Sequence, residues 1–212
     1  NCIYNNSSGK VIISNGTYNQ TSGGSSVIAN NSTGVLSIGG GTINNNSSTK
    51  YAVANISTGN VYYSGGTINC SSSGEGIYNK TTGKIYASGG TIICTGSGNG
   101  IYNNSGGTIS QSGTTINTAS GSGIYSTSGT VNVSDGQITS SSGNGIYNNT
   151  STITMSGGKV YGKNGIWNAG NGTINISGEV SSTYVKATSS DGIAIRVYTG
   201  SLNITGGNIM SD

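Results

Sequence analysis

The side chains that could perform acid–base chemistry are few and scattered. The chain of 212 residues contains five acids, Glu75, Asp135, Glu179, Asp191 and Asp212, and no histidine. Glycoside hydrolysis needs two facing carboxyl groups, and polysaccharide lyases need acidic metal ligands with a cationic base. The absence of histidine excludes a Ser–His relay and argues against a zinc site. We therefore expect no catalytic residue, no metal and no cofactor.

The basic residues are also dispersed along the chain. A nucleic-acid surface requires cations clustered along a phosphate backbone, and no such cluster is present. The apolar segments all fall short of the ~20 residues of a membrane-spanning helix. The cations are Lys10, Lys50, Lys80, Lys84, Lys159, Lys163, Lys186 and Arg196. We expect neither nucleic acid nor a membrane span among the partners.

Two of the three cysteines occupy equivalent positions in a repeat. Cys70 follows Val53 by 17 residues, and Cys94 follows Ile77 by the same number. In adjacent coils their Cα atoms would lie about 4.8 Å apart, within the range that a disulfide spans. A pair of core-filling thiols and a disulfide both fit this spacing. Cys2 is left over and could bond a neighbouring chain.

Five aromatic residues recur at one repeat position in consecutive coils. We name them the strand-one row: Tyr78, Tyr102, Tyr125, Tyr147 and Trp167. Such rings stabilise neighbouring strands by stacking. An exposed aromatic strip also suits sugar rings or the flank of another rod. Both interpretations remain open from the sequence.

The element that must position these side chains is a repeat that spans the chain. Its anchor is the apolar residue of an "IYN"-like phrase, with steps of 25, 25, 24, 24, 23, 22, 20 and 27 residues. Repeats of 20–50 residues are typical of solenoids. The anchors are Ile3, Ile28, Val53, Ile77, Ile101, Ile124, Ile146, Ile166 and Ile193. They define about nine coils in a single domain over residues 1–212.

Each coil contains three short apolar groups, and the second group alternates apolar with polar residues. Period-two alternation predicts strands with one buried side. We predict an all-β parallel β-solenoid, a right-handed β-helix with three short strands per coil. The third group reads Tyr18, Ile43, Ile68, Ile92, Ile116, Ile138, Val160, Val180 and Ile209, with the eighth coil enlarged by "SSTYVKATSSDG".

Identical polar residues should stack into ladders along such a rod. An asparagine two residues after the anchor should point inward at a corner and satisfy turn backbone: Asn5, Asn30, Asn55, Asn79, Asn103, Asn148 and Asn168, with Ser126 in the sixth coil. A threonine row, Thr17 to Thr115, should be exposed before strand three. This row mildly resembles the threonine arrays of ice-binding solenoids, although their T-x-T phrase is T-I-N or T-I-I here.

The repeat phrase resembles a known class of proteins. Segments such as "GIYN" and "TGKIYASGGTI" are similar to repeats of large bacterial cell-surface and secreted β-helix proteins of the adhesin-like kind. The resemblance covers residues 2–210. It implies an extracellular stalk, adhesin or fibre subunit, and it assigns no individual binding residue.

The function that we expect is therefore structural and extracellular. The chain opens on Asn1 and shows no capping element at either end, so we expect a piece of a longer stalk or a unit that stacks end to end into filaments. The partner would then be a further coil or another copy. The alternative is a module that binds glycans or cell surfaces through the strand-one row, and ice binding is a third.

Overall fold

The computed structural model describes residues 1–21, 24–48 and 50–211, which form short β-strands throughout. Within these ranges no helix is present. In chain order the strands are β1 (Ile3–Asn5), β2 (Lys10–Ile13), β3 (Thr17–Gln20), β4 (Ile28–Asn30), β5 (Val35–Ile38), β6 (Thr42–Asn45), β7 (Tyr51–Asn55), β8 (Asn60–Tyr63), β9 (Thr67–Cys70), β10 (Glu75–Asn79), β11 (Lys84–Ala87), β12 (Thr91–Cys94), β13 (Ile101–Asn103), β14 (Thr108–Thr118), β15 (Ile124–Ser126), β16 (Thr130–Ser140), β17 (Asn144–Asn148), β18 (Thr152–Met155), β19 (Gly158–Gly162), β20 (Asn164–Asn168), β21 (Thr173–Ile176), β22 (Thr183–Ala187), β23 (Ile195–Val197), β24 (Ser201–Ile204) and β25 (Asn208–Met210).

The strands stack into three parallel faces. Face one is a nine-stranded sheet, β1-β4-β7-β10-β13-β15-β17-β20-β23. Face two runs from β2 through β5, β8 and β11 to β24, and face three runs from β3 through β6, β9 and β12 to β25. The long strands β14 and β16 turn the corner and belong to both of these faces. This arrangement confirms the predicted all-β parallel β-solenoid of about nine turns.

The core consists of apolar side chains at equivalent repeat positions, which stack on one another from coil to coil. Ile28, Val53 and Ile77 pair in register on face one and are fully buried. Inward residues of faces two and three, such as Ile85 and Ile92, complete one continuous apolar cluster. Because residues alternate sides along a strand, the polar residues between them face outward. The period of two in the sequence therefore sets which side chains reach the core.

The corner before face three depends on glycine. Gly41, Gly66 and Gly90 have φ of +86°, +86° and +75°, a region that side chains disfavour. A Cβ on Gly66 would also lie 2.6 Å from the carbonyl oxygen of Gly41 one coil away. At Gly66 both φ and space therefore disfavour a side chain, whereas the fifth coil has Thr114 at this position with a different backbone conformation.

The eighth coil departs from the predicted alignment. Val180, which we placed in the third strand, is 62% exposed, and Val185 of β22 pairs with Val160 instead. The backbone N–H groups of Ser182 and Thr183 both donate to the carbonyl of Glu179, which forms a turn ahead of the strand. The insertion therefore precedes and includes strand three rather than following it.

The ninth coil is shifted by two residues from the predicted anchor. Ile195 pairs with Ile166, whereas Ile193 is 44% exposed. In "IAI" both isoleucines satisfy a period of two, so the alternation alone could not choose between them. As a consequence Arg196, and not Ala194, lies beside Trp167.

Candidate functional site

The strand-one row is brought together on face one in register. Tyr78, Tyr102, Tyr125 and Tyr147 pair in turn, and Trp167 follows. The ring centroids of successive members lie 5.4, 5.0, 4.6 and 5.6 Å apart. These are the distances of mutually packed aromatic rings.

Both ends of the strand-one row are covered by residues that the repeat alignment did not place beside it. Tyr51 stacks on Tyr78 at 3.9 Å with planes 12° apart, and Tyr78 is only 8% exposed. The Arg196 guanidinium carbon lies 5.0 Å from the centroid of the Trp167 ring, a cation–π contact. Burial raises the pKa of Tyr78 to about 12, so its phenol is neutral near pH 7. The row is therefore half-buried, and neighbouring groups occupy most of its ring faces.

The predicted inward asparagines form a hydrogen-bonded ladder inside a corner. The Nδ2 of Asn30 donates to the Oδ1 of Asn55 at 3.1 Å, and the Nδ2 of Asn55 donates to Asn79 at 2.9 Å. The same Nδ2 atoms donate to turn carbonyls, as from Asn79 to Gly83 at 2.8 Å. In the sixth coil Ser126 replaces the amide: its hydroxyl accepts from the Nδ2 of Asn103 at 3.3 Å and pairs with the hydroxyl of Ser151. Each of these side-chain amides thus forms hydrogen bonds both to a backbone carbonyl of its own turn and to the asparagine of the next coil.

A second asparagine ladder, which the sequence analysis missed, runs along the outside of face three. The Nδ2 of Asn44 donates to the Oδ1 of Asn19 at 2.7 Å, and Asn69 donates to Asn44 at 2.8 Å. It lies two residues after the outward threonine row, where Thr17, Thr42 and their successors pair as far as Thr115. The signal was present in the T-x-N phrase of the early coils.

Cys70 and Cys94 are stacked neighbours in the core. They pair in register on face three, are 0% and 1% exposed, and are both free thiols. The Cys70 thiol donates to the carbonyl of Glu75, and the Cys94 thiol to that of Asn99. The hydrogen bond with Cys94 and burial raise the pKa of Cys70, so this thiol stays protonated. Cys2 is exposed in the first coil, away from this pair.

Glu75 is a largely buried acid with no basic side chain as a hydrogen-bond or ion-pair partner among those described. Its Oε2 accepts the backbone N–H of Asn99 in the next coil. At the corresponding position, Asn99 accepts from the N–H of Ser122 at 2.7 Å, and Asn164 accepts from Ile193 at 3.2 Å. Burial raises the pKa of Glu75 from 4.5 to about 7. The carboxyl group therefore occupies a place that neutral side chains fill in other coils.

The remaining described acids lie apart from one another. Asp191 forms an exposed ion pair with Lys163 at 2.8 Å, which together with Ser189 lowers its pKa to about 2. Asp135 accepts the N–H of Gly136, and it lines a small depression that Lys159 also lines. Glu179 lies in the turn ahead of β22. Asp212 lies outside the described residues. Within the described ranges no three acidic, cysteine or histidine side chains gather as a metal site would require.

The geometry defines a class of protein: a parallel β-solenoid of stacked repeats with internal and external side-chain ladders. Comparison with protein-family models, curated proteins and solved structures gives no match. In the part of the chain that the structure describes, no helix is long and apolar enough to cross a bilayer. The assignment to a class therefore comes from the fold itself.

Proposed function

We propose that this chain is a structural segment of an extracellular rod, a stalk or fibre subunit of a bacterial cell surface. The observation that carries the proposal is the repetition of the same inward, outward and corner residues from coil to coil. Such a molecule gains length by adding coils, since each coil contacts only its neighbours. At about 4.8 Å per coil, nine coils make a rod ~43 Å long.

The last coil presents an apolar surface that a further coil would cover. Leu202 and Ile204 point along the core rows but are 42% and 45% exposed. Together with Ile195, Ile209 and Met210 they line an open depression of about 420 Å³ at this end of the rod. Unpaired strand edges with exposed apolar residues favour pairing with another strand.

The first coil has apolar residues at the corresponding positions. Ile195, Leu202 and Ile209 are spaced by seven and seven residues, and Ile3, Val11 and Tyr18 by eight and seven. Ile3, Val11 and Tyr18 are only partly buried and pack against the core from the other end. We propose that the last coil of one copy stacks on the first coil of the next, as consecutive coils do within the chain.

Electron microscopy of the purified protein over a range of concentrations tests this proposal. We expect rods longer than ~43 Å that grow with concentration. Leu202→Lys/Ile204→Lys should abolish the growth because it places charges on the contact. Val180→Lys is the control, since Val180 is 62% exposed in a turn of the eighth coil and lies outside both end coils. Single ~43 Å particles at every concentration would contradict end-to-end assembly.

A further inference from the structure

The outer surface of face two carries a stack of two aromatic rings that ends partway along the rod. Tyr62 and Tyr86 pair in register, and their rings are parallel within 8° with centroids 4.7 Å apart. One ring face of Tyr62 is covered by Tyr86. One coil in the other direction the same row has Ser37, whose side chain is too small to cover the second face. Tyr62 is accordingly 40% exposed.

The space beside Tyr62 is a depression with a polar rim. It measures about 500 Å³ and is lined by Lys10, Val35, Ser37, Tyr62, Ser64 and Ser88. The side chains of Ser64 and Ser88 are exposed at the corner after the strand. An uncovered aromatic face with hydroxyl groups beside it matches a sugar ring, which has an apolar C–H face and a hydroxyl-bearing edge.

The charge around this depression is positive. Lys10 lies on its rim, and Lys84 follows in the same outward row two coils beyond Val35. No acid precedes Glu75 in the chain, and Glu75 lies on face one. With few charges elsewhere on the molecule, these ammonium groups have no carboxylate partner on face two in the first four coils, so they favour an anionic ligand.

We propose that this depression is a binding site for an acidic sugar. The C–H face of the sugar ring packs on the open face of Tyr62, in the layer that a tyrosine at position 37 would fill. Its hydroxyl groups meet the serines, and its carboxylate faces Lys10. This site goes beyond the structural role and does not depend on it, because it lies on the side of the rod.

The strand-one row does not offer the same opportunity. Its rings pack on one another and are covered at the two ends by Tyr51 and Arg196. Stacking of a sugar requires a free ring face, which Tyr62 has because its stack contains only two rings. The depression also lies beside this free ring face of Tyr62.

Saturation-transfer NMR and titration with matched oligosaccharides test the proposal. The probes are trimers of galacturonate, glucuronate and mannuronate, each with its neutral trimer of the same linkage. We expect binding of at least one acidic trimer in the millimolar range or tighter, and weaker binding of its neutral counterpart. Tyr62→Ala should weaken the acidic trimer about tenfold or more.

Ser37→Tyr is the sharper variant, because it fills the site without removing a contact of the fold. The added ring continues the Tyr62–Tyr86 stack, so thermal stability should be kept or raised while binding falls about tenfold or more. Lys10→Gln should weaken the acidic trimer about threefold or more and leave the neutral trimer unchanged. Tyr125→Ala, on face one, should leave binding of both trimers unchanged.

Three results would overturn the proposal. They are the absence of binding by every acidic trimer at millimolar concentration, binding that is unaffected by Tyr62→Ala and Ser37→Tyr, and loss of binding in Tyr125→Ala alone. Equal binding of acidic and neutral trimers, unaltered by Lys10→Gln, would also refute the preference for an acidic sugar.

Discussion

The buried carboxyl group of Glu75 has a direct consequence for stability. Its pKa is about 7 in the folded protein, against 4.5 ordinarily, because burial penalises the charged form. Above pH 4.5 the carboxyl group ionises in the unfolded chain but stays protonated in the folded protein. The unfolded state is therefore increasingly favoured as the pH rises, until the folded protein also ionises near pH 7. As the pH rises from about 4.5 to 7, the free energy of unfolding should therefore fall by roughly 3 kcal/mol.

Glu75→Gln should remove this dependence and raise stability at pH 8, because Gln keeps an oxygen for the Asn99 N–H without a charge. The measurement is urea unfolding at several pH values between 4.5 and 8. The chain has no histidine. The pKa of Asp191 is about 2, so its titration falls below this range. Parallel curves for the two proteins would contradict the assignment.

The inner asparagine ladder should be far more sensitive to mutation than the outer one. Asn79→Ala removes the donor to Gly83 and Asn103 and the acceptor for Asn55. The buried Oδ1 of Asn103 loses its hydrogen bond, whereas Gly83 keeps the N–H of Thr108 and Asn55 keeps its bond to Gly59. The expected loss is about 2–4 kcal/mol, whereas Asn69→Ala on the outer face should cost less than about 0.5 kcal/mol. Equal losses in chemical denaturation would show that burial does not distinguish the ladders.

Most of these residue roles could be predicted from the sequence, and the exceptions have a physical cause. Inward Asn79 and the stacked cysteines follow from position within a repeat and from parity alone. The contact of Tyr51 with Tyr78 could not be predicted in this way. Tyr51 pairs in register with Glu75, three residues before Tyr78, and its ring reaches Tyr78 diagonally. Such contacts depend on rotamers, which the period of a repeat does not specify.

At the scale of elements, the glycine corner before face three is constrained by both φ and space. Gly66→Ala would place a Cβ at φ +86° and 2.6 Å from the Gly41 carbonyl oxygen. We expect a loss of at least about 2 kcal/mol, from backbone strain and displaced strand pairing. Gly24→Ala is the control, since a Cβ there meets nothing within 4 Å. Thermal unfolding of the two variants checks this, and equal melting temperatures would contradict it.

The element boundaries that the sequence misplaced lie in the eighth and ninth coils. There a turn at Glu179–Ser182 and the "IAI" phrase give two registers that satisfy the same alternation. The register is chosen by strand pairing with the preceding coil. This pairing joins residues far apart in the sequence, so the local alternation of apolar and polar residues does not reveal it. The regular coils were predictable because each supplied the register for the next.

For the whole molecule, a complete coil should be removable but part of a coil should not. Deleting residues 77–100 joins Gly76 to Ile101, so that Ile101, which pairs in register with Ile77, takes the place of Ile77 beside Val53. We expect the shortened protein to keep its β-sheet circular dichroism and cooperative unfolding, with lower stability. Deleting residues 77–88 breaks the register and should abolish folding. Unfolding of both proteins would contradict independence of the coils.

Among the described residues, hydrogen bonds and strand pairings join a coil only to its immediate neighbours, so no bond there links distant parts of the rod. A load that pulls on the two termini of one chain therefore acts on one coil interface at a time. Each coil of about 24 residues would release roughly 80 Å of extended chain as it peels away. Stretching should thus give a train of small, similar force peaks and not a single large rupture.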